Sequence, residues 1–243
     1  MHIPNGLLDP KISAGASFAA AGVIGYCIAR VRQALSIAVP EAVLVGASNI
    51  AFNVSDRSKK LISSFAENHL MRMGAVASLI FAAQMFNFPV ANGTSGHLLG
   101  GILAAIAVGP FSGAIVLSMI LTVQSLFFAD GGLMALGANI LNMAVIGTLA
   151  SYYIYYFINK IFKNNLGFYC GIFIAAFFSV LTASIACSFE VAMSGTIELS
   201  KMLPAMASVH ARIGVAEALI TIMAVEFLKG VKFGLEGIRK IEE

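Results

Sequence analysis

Residues 73–129, MGAVASLIFAAQMFNFPVANGTSGHLLGGILAAIAVGPFSGAIVLSMILTVQSLFFA, contain no Asp, Glu, Lys or Arg. A helix that crosses a bilayer needs about 20 mostly apolar residues, so this run is too long for two such helices. Pro89–Gly96 and Gly109–Pro110 divide it into three. The middle piece, His97 to Gly109, is short for a span. That predicts that the segment before it dips into the protein.

The same reading extends outward. Residues 12–29 form an uncharged run that ends at Arg30 and Arg32. Residues 131–159 and 166–189 supply two more helices. A last one, roughly Pro204 to Leu228, carries Arg212, Glu217 and Glu226. Over the whole chain, 59% of residues are hydrophobic and 11% charged, with a mean hydropathy of +0.89. A soluble domain carries about 25% charged residues. A water-soluble enzyme and a disordered chain are both excluded by this balance. Cys27, Cys170 and Cys187 all lie in apolar runs and read as small buried hydrophobes. The expected fold is all-α: a polytopic membrane helix bundle of about seven transmembrane helices, with residues 1–243 as one membrane domain.

Basic residues orient such a bundle, because cytoplasmic loops collect Lys and Arg. With Arg30 placed inside and the helices alternating, the 15 basic residues fall inside with the exceptions of Lys11, Lys201 and Arg212. The N-terminus is therefore expected outside and the C-terminus in the cytoplasm. Residues 1–11 become an extracytoplasmic tail, and residues 33–72 a cytoplasmic connection with a polar helix around Asp56 to His69. Ala42–Phe52 is apolar but too short to span; it reads as part of that connection or as a loop. Ser13, Ser17, Ala21, Gly25 and Ala29 recur every fourth residue on the first helix. That is a close-packing face, for the bundle itself or for a partner.

Chemistry begins with the histidines. This topology puts His2, His97 and His210 toward the outer side and His69 inside. The opening Met1-His2-Ile3-Pro4 shows no basic leader and no cleavage site, so Met1 is expected to persist. A histidine second from a free terminus chelates a metal in three ways. The Met1 amine and the His2 amide nitrogen close a five-membered ring, and the amide and His2 Nδ1 close a six-membered one. The amide must lose its proton, which a late transition ion drives. A planar, nitrogen-rich site points to Ni(II) or Cu(II), and His97 is the best fourth nitrogen.

Three further segments surround this chelate. In Asn87–Leu98, Gly93 and Gly96 permit irregular backbone, which at membrane depth is tolerated only when buried in protein or lining a cavity. Thr94 and Ser95 are expected to cap the helix starting near His97. Asn139 and Asn142, three apart on one face, either orient an imidazole or bond helix to helix. His210, Arg212 and Glu217 either position the site or tie helices together, and tying is favoured. Asn92, Ser95, Asn139, Asn142 and His210 are the polar residues expected around the metal ligands.

These segments resemble one family closely, the CbiM/NikM substrate-binding (S) subunits of energy-coupling-factor nickel/cobalt transporters. The resemblance rests on Met1-His2-Ile3-Pro4-Asn5-Gly6-Leu7-Leu8, on Gln84–Val90 leading into Gly93-Thr94-Ser95-Gly96-His97, on Asp130-Gly131-Gly132 through Met143, and on Pro204 through Ala218. It implies a seven-helix subunit in the inner or plasma membrane. Its metal site uses the Met1 amine, the His2 amide and imidazole, and His97. The transported substrate is Ni2+ or Co2+, with no resident cofactor. The implied partners are a membrane coupling (T) subunit, two cytoplasmic ATPase subunits and often a small accessory membrane subunit. The chain carries no phosphate loop, so ATP hydrolysis falls to the partners and the chain itself is not expected to be an enzyme. Asn5 departs from the acidic residue common there, and the 33–72 connection is longer than usual. The rival readings are a passive cation channel and an intramembrane enzyme using Ser194 or Ser208 with His210.

Overall fold

The computed structural model describes residues 1–46, 54–90 and 94–238. Helix α1 is Pro10–Gly46 and α2 is Val54–Gln84; a short antiparallel hairpin follows, β1 (Asn87–Pro89) and β2 (Ser95–His97). Then come α3 (Gly101–Val108), α4 (Pro110–Phe127), α5 (Leu136–Ile161), α6 (Asn165–Met193) and α7 (Leu199–Gly230). Within α5, residues Ile140–Ala150 are wound as a π-helix. Among the described residues, four helical stretches are long and apolar enough to cross a membrane: Pro10–Leu35, Pro110–Phe127, Leu136–Ile161 and Asn165–Met193.

The uncharged run is divided where the glycines and prolines place its breaks. The hairpin pairs Asn87 with His97 and Pro89 with Ser95, and Gly96 and His97 are buried. Gly109 has φ +86, a conformation that favours glycine, and Pro110 opens α4 with its fixed φ and no orphaned N–H. Helix α3 is eight residues long and every one is buried. It sits so close to α5 that a methyl on Gly101 would collide with the Gly147 carbonyl oxygen.

One expectation about the helices changes. Thr94 and Ser95 do not cap α3. The chain runs on as β2 and α3 begins at Gly101, where the Glu217 carboxylate of α7 accepts the Leu99 and Gly100 N–H groups at 2.8 and 2.6 Å. The 33–72 segment is helical on both sides of residues 47–53, which lie outside the described residues: residues 33–46 continue α1 and residues 54–72 open α2. Charges at Arg30 and Arg32 end the apolar stretch of α1 without ending its hydrogen-bonded winding.

Buried residues of α2 through α7 form the core, joined by Met1, Ile3 and Ala16, while Phe18, Met119, Leu219, Met223 and Phe227 face outward. So many exposed large apolar side chains suit a lipid solvent and not water. On α1, Ser13 is buried and Gly137 of α5 packs tightly on Ser17, whereas Ala21, Gly25 and Ala29 are exposed. The close-packing face is thus used by the bundle only near its start. Cys27 and Cys187 are buried, but Cys170 is exposed, and all are free thiols.

The helices present one set of ends to the hairpin and the N-terminal tail. At the opposite ends lie Arg30 over Phe111, Arg72 beside Glu236, and Lys229 over Phe168. There the segment after α7 folds back: His69 Nδ1 meets Glu236 at 3.0 Å, His69 Nε2 meets Ser112 at 2.9 Å, and Tyr152 donates to the Gly237 carbonyl at 2.8 Å.

Candidate metal site

The first residues are pulled into the protein. Met1 is 1% exposed, His2 3% and Ile3 fully buried. A buried chain end needs partners for its polar backbone groups, and later segments supply those of Ile3. Asn139 Oδ1 accepts the Ile3 N–H at 2.8 Å and its Nδ2 donates to the Ile3 carbonyl at 3.2 Å. That carbonyl also accepts the Gly132 N–H at 2.9 Å. Asn5 Oδ1 accepts the Met134 N–H at 3.1 Å, and Thr196 donates to the Leu7 carbonyl at 2.7 Å. Ser13 donates to the Met134 carbonyl, holding the start of α1 against the same loop.

This clamp sets His2 against His97. Their ring centroids are 4.6 Å apart, with planes tilted by 35°. His97 Nδ1 faces the Leu98 carbonyl at 2.7 Å, so it carries the hydrogen and Nε2 keeps a bare lone pair. Nε2 of His2, His97 and His210 are all buried without a hydrogen-bond partner, as is the Ser95 hydroxyl. Ser95 and His97 are two apart on β2 and share a face. Buried polar atoms are rarely left unpaired, so this concentration marks a place built for a ligand.

Electrostatics favour a neutral, metal-ready terminus. Burial drives the Met1 α-amine down from 8.0 to about 5, against smaller upward pulls from Cys187 and Asp130. Burial also lowers His2 by more than its hydrogen bond to Asp130 raises it. Burial pushes the Asp130 carboxyl up, but the hydrogen bond to His2 and the His2 and Met1 charges outweigh it, and the net shift is downward.

The residues named from the sequence fall as follows. Met1, His2 and His97 converge. Asn139 grips the tail backbone and does not touch an imidazole. Asn142 donates to Glu190 at 2.6 Å and joins α5 to α6. His210 lies across β2 from His97, its Nδ1 on the Met206 carbonyl at 2.8 Å. Asn92 lies outside the described residues. Ser194 and Ser208 bond the Glu190 and Ala205 carbonyls, and neither hydroxyl is bonded to His210.

One participant was given no role from the sequence. Asp130 Oδ1 holds His2 Nδ1 at 2.7 Å, the same nitrogen that the six-membered chelate ring would use. Chelation therefore requires Nδ1 to exchange Asp130 for the ion. The available signal was that Asp130 is the first carboxylate after the uncharged run.

Comparison with known proteins follows this geometry. A family profile described as "CbiM: Cobalt uptake substrate-specific transmembrane region" matches residues 2–235. A putative fused nickel transport protein NikMN of Archaeoglobus fulgidus is 35% identical over 96% of this chain, which spans 66% of that relative's length. A cobalt transport protein CbiM of Thermosipho melanesiensis is 31% identical over 66% of this chain and 69% of its own. A crystal structure of a truncated transition metal transporter superposes with a TM-score of 0.75 at 27% identity, covering 95% of this chain and 99% of that one. The chain thus belongs to the CbiM family of cobalt-uptake transmembrane regions, and it is a membrane protein of the nickel and cobalt transport type.

Proposed function

We propose that this chain is the substrate-capture subunit of an energy-coupling importer for Ni2+ or Co2+. The Met1 amine, the His2 amide nitrogen, His2 Nδ1 and His97 Nε2 form a plane of four nitrogens around the ion. The observation that carries this reading is the pairing of the His2 and His97 rings beside a buried Met1. Two imidazoles bound side by side to one ion at about 2.0–2.1 Å per nitrogen have ring centres roughly 4–5 Å apart, and here they are 4.6 Å apart. A four-nitrogen plane favours low-spin Ni(II), and both nickel and cobalt transport proteins are among the relatives.

The ion is captured from outside, across the cytoplasmic membrane, with the N-terminus outward. Support comes from the basic residues at the ends of the bundle opposite the tail. Release inward follows when a membrane coupling subunit, driven by two ATPase subunits, distorts the plane; a small accessory membrane subunit completes the assembly. The chain catalyses no reaction of its own.

The test is metal content of the purified protein, tagged at the C-terminus, against His2→Ala and against a variant with one residue added before Met1. One equivalent of nickel or cobalt, lost in both variants, is the expected result. Equal metal in all three proteins, or metal absent from all, overturns the chelate. Metal uptake by cells that persists after deletion of the ATPase subunits overturns the importer.

A further inference from the structure

Three consecutive residues after α4 meet the N-terminal tail. Asp130 Oδ1 lies 2.7 Å from His2 Nδ1. Gly131, at φ +88, lies against the same ring: a methyl there would come within 3.3 Å of His2 Cγ and Cδ2 and 3.1 Å of Asn139 Nδ2. Gly132 donates its N–H to the Ile3 carbonyl at 2.9 Å. The loop is itself tied to the end of α4. The Asp130 N–H donates to the Gln124 carbonyl at 3.2 Å, and Ser125 donates to the Gly131 carbonyl at 3.1 Å. The Asp130 backbone is thus held by contacts that do not involve the imidazole.

Other carboxylates of the bundle are engaged elsewhere. Glu190 accepts from Asn142 at 2.6 Å, and Glu217 accepts the Leu99 and Gly100 N–H groups at 2.8 and 2.6 Å. Among the described residues, Asp130 is the carboxylate that meets one of the proposed ligands. Its side chain is 24% exposed, against 3% for His2, so it stands at the rim of the buried site.

We infer that Asp130 is the counter-charge of the loaded site, neutralising the positive charge that remains once the ion has displaced the His2 amide proton. This rests on the four-nitrogen site proposed above. A divalent ion brings two positive charges. The amide proton leaves for solvent, and its nitrogen keeps one negative charge. The Met1 amine and both imidazoles bind as neutral groups. His2 Nδ1 gives up its hydrogen to meet the ion and Nε2 takes one up, so that ring stays neutral. One positive charge is left among Met1, His2 and His97, all of them buried. A buried charge without a partner is costly, and an opposite charge alongside offsets that cost. Asp130 supplies it without ligating the ion, from a loop anchored to α4.

The test compares the purified, C-terminally tagged protein with Asp130→Asn and Asp130→Glu. Asn has the same shape and still accepts a hydrogen bond from His2, but carries no charge; Glu keeps the charge. Competition against a chelator reads Ni(II) affinity. Asn should weaken it by about 10–100-fold, while Glu stays within about threefold of native. Melting in detergent supplies a readout without metal. Metal-free Asn protein should melt within about 3 °C of native, whereas its rise on adding nickel should be smaller.

Each contrary result is decisive. Native affinity in Asp130→Asn overturns the counter-charge and leaves the terminal chelate standing. Equal weakening by Asn and Glu assigns Asp130 to shape and overturns it as well. So does a metal-free Asn protein that already melts far below native, because Asp130 would then serve the fold and not the ion. Native protein that binds no nickel overturns the chelate and the counter-charge together.

Discussion

Asn139 holds Ile3 by both its N–H and its carbonyl, across 136 residues of sequence. The carboxamide acts as a peptide would in a ladder, and it fixes the backbone immediately after His2. Asn139→Leu leaves the Ile3 N–H buried and unpaired, a penalty of about 1–3 kcal/mol, and leaves the Ile3 carbonyl with the Gly132 N–H alone. Nickel affinity should fall by about 10–100-fold, the usual effect of losing a group that orients a ligand. Competition titration against a chelator reads this directly. Affinity within threefold of native in about the same assay would mean the tail holds its place without Asn139.

The buried Met1 amine changes how binding depends on pH. Its pKa falls from 8.0 to about 5, so above pH 5 it is already neutral and has no proton to lose. At pH 7 nickel should displace about one proton, that of the His2 amide. As pH falls through about 5 the amine protonates, and the count should climb toward two. Calorimetry in buffers of different ionisation enthalpy gives the number. Two protons released at pH 7 would show that the amine keeps its ordinary pKa.

Glu217 is the cap that α3 lacks locally. Glu217→Leu strands the Leu99 and Gly100 N–H groups, costing about 2–5 kcal/mol in all. Glu217→Gln should cost less, because its single carbonyl oxygen still accepts one of them. Thermal unfolding in detergent should rank native above Gln and Gln above Leu.

Close packing makes a sharper contrast between two glycines. Gly101→Ala drives a methyl into the Gly147 carbonyl, where backbone lies on both sides, and overpacking of this kind costs about 1–3 kcal/mol or more. Gly25→Ala on α1 meets open space and should be neutral or stabilising by up to about 1 kcal/mol. Melting temperatures of the two variants should move in opposite directions, or the second should not move at all.

Much of the arrangement was legible because hydropathy and backbone chemistry are local. The absence of charge from 73 to 129, with Gly109–Pro110 inside it, is enough to place the α3–α4 break and to require an inward dip before His97. That Met1, His2 and His97 come together likewise follows the expectation drawn from residue type. Long-range pairing was not legible. Nothing near Ser95 says that a carboxylate 118 residues away caps α3, so Thr94 and Ser95 take that role by default. Residue type offers Asn139 an imidazole or a neighbouring helix, but its partner is the backbone of the N-terminal tail, 136 residues away. Asp130 has no local feature that announces His2.

The N-terminal tail lies far ahead in sequence of the residues that anchor it. His2 waits for Asp130, Ile3 for Asn139, and the Leu7 carbonyl for Thr196. At about 5–20 residues per second, the 128 residues from His2 to Asp130 take roughly 6–26 s and the 189 from Leu7 to Thr196 roughly 10–40 s, so the tail gains its anchors in stages. Docking of the tail thus reports on assembly: it is complete only after the later helices have been made and packed, and a chain stalled or cut before them lacks the residues that hold the tail.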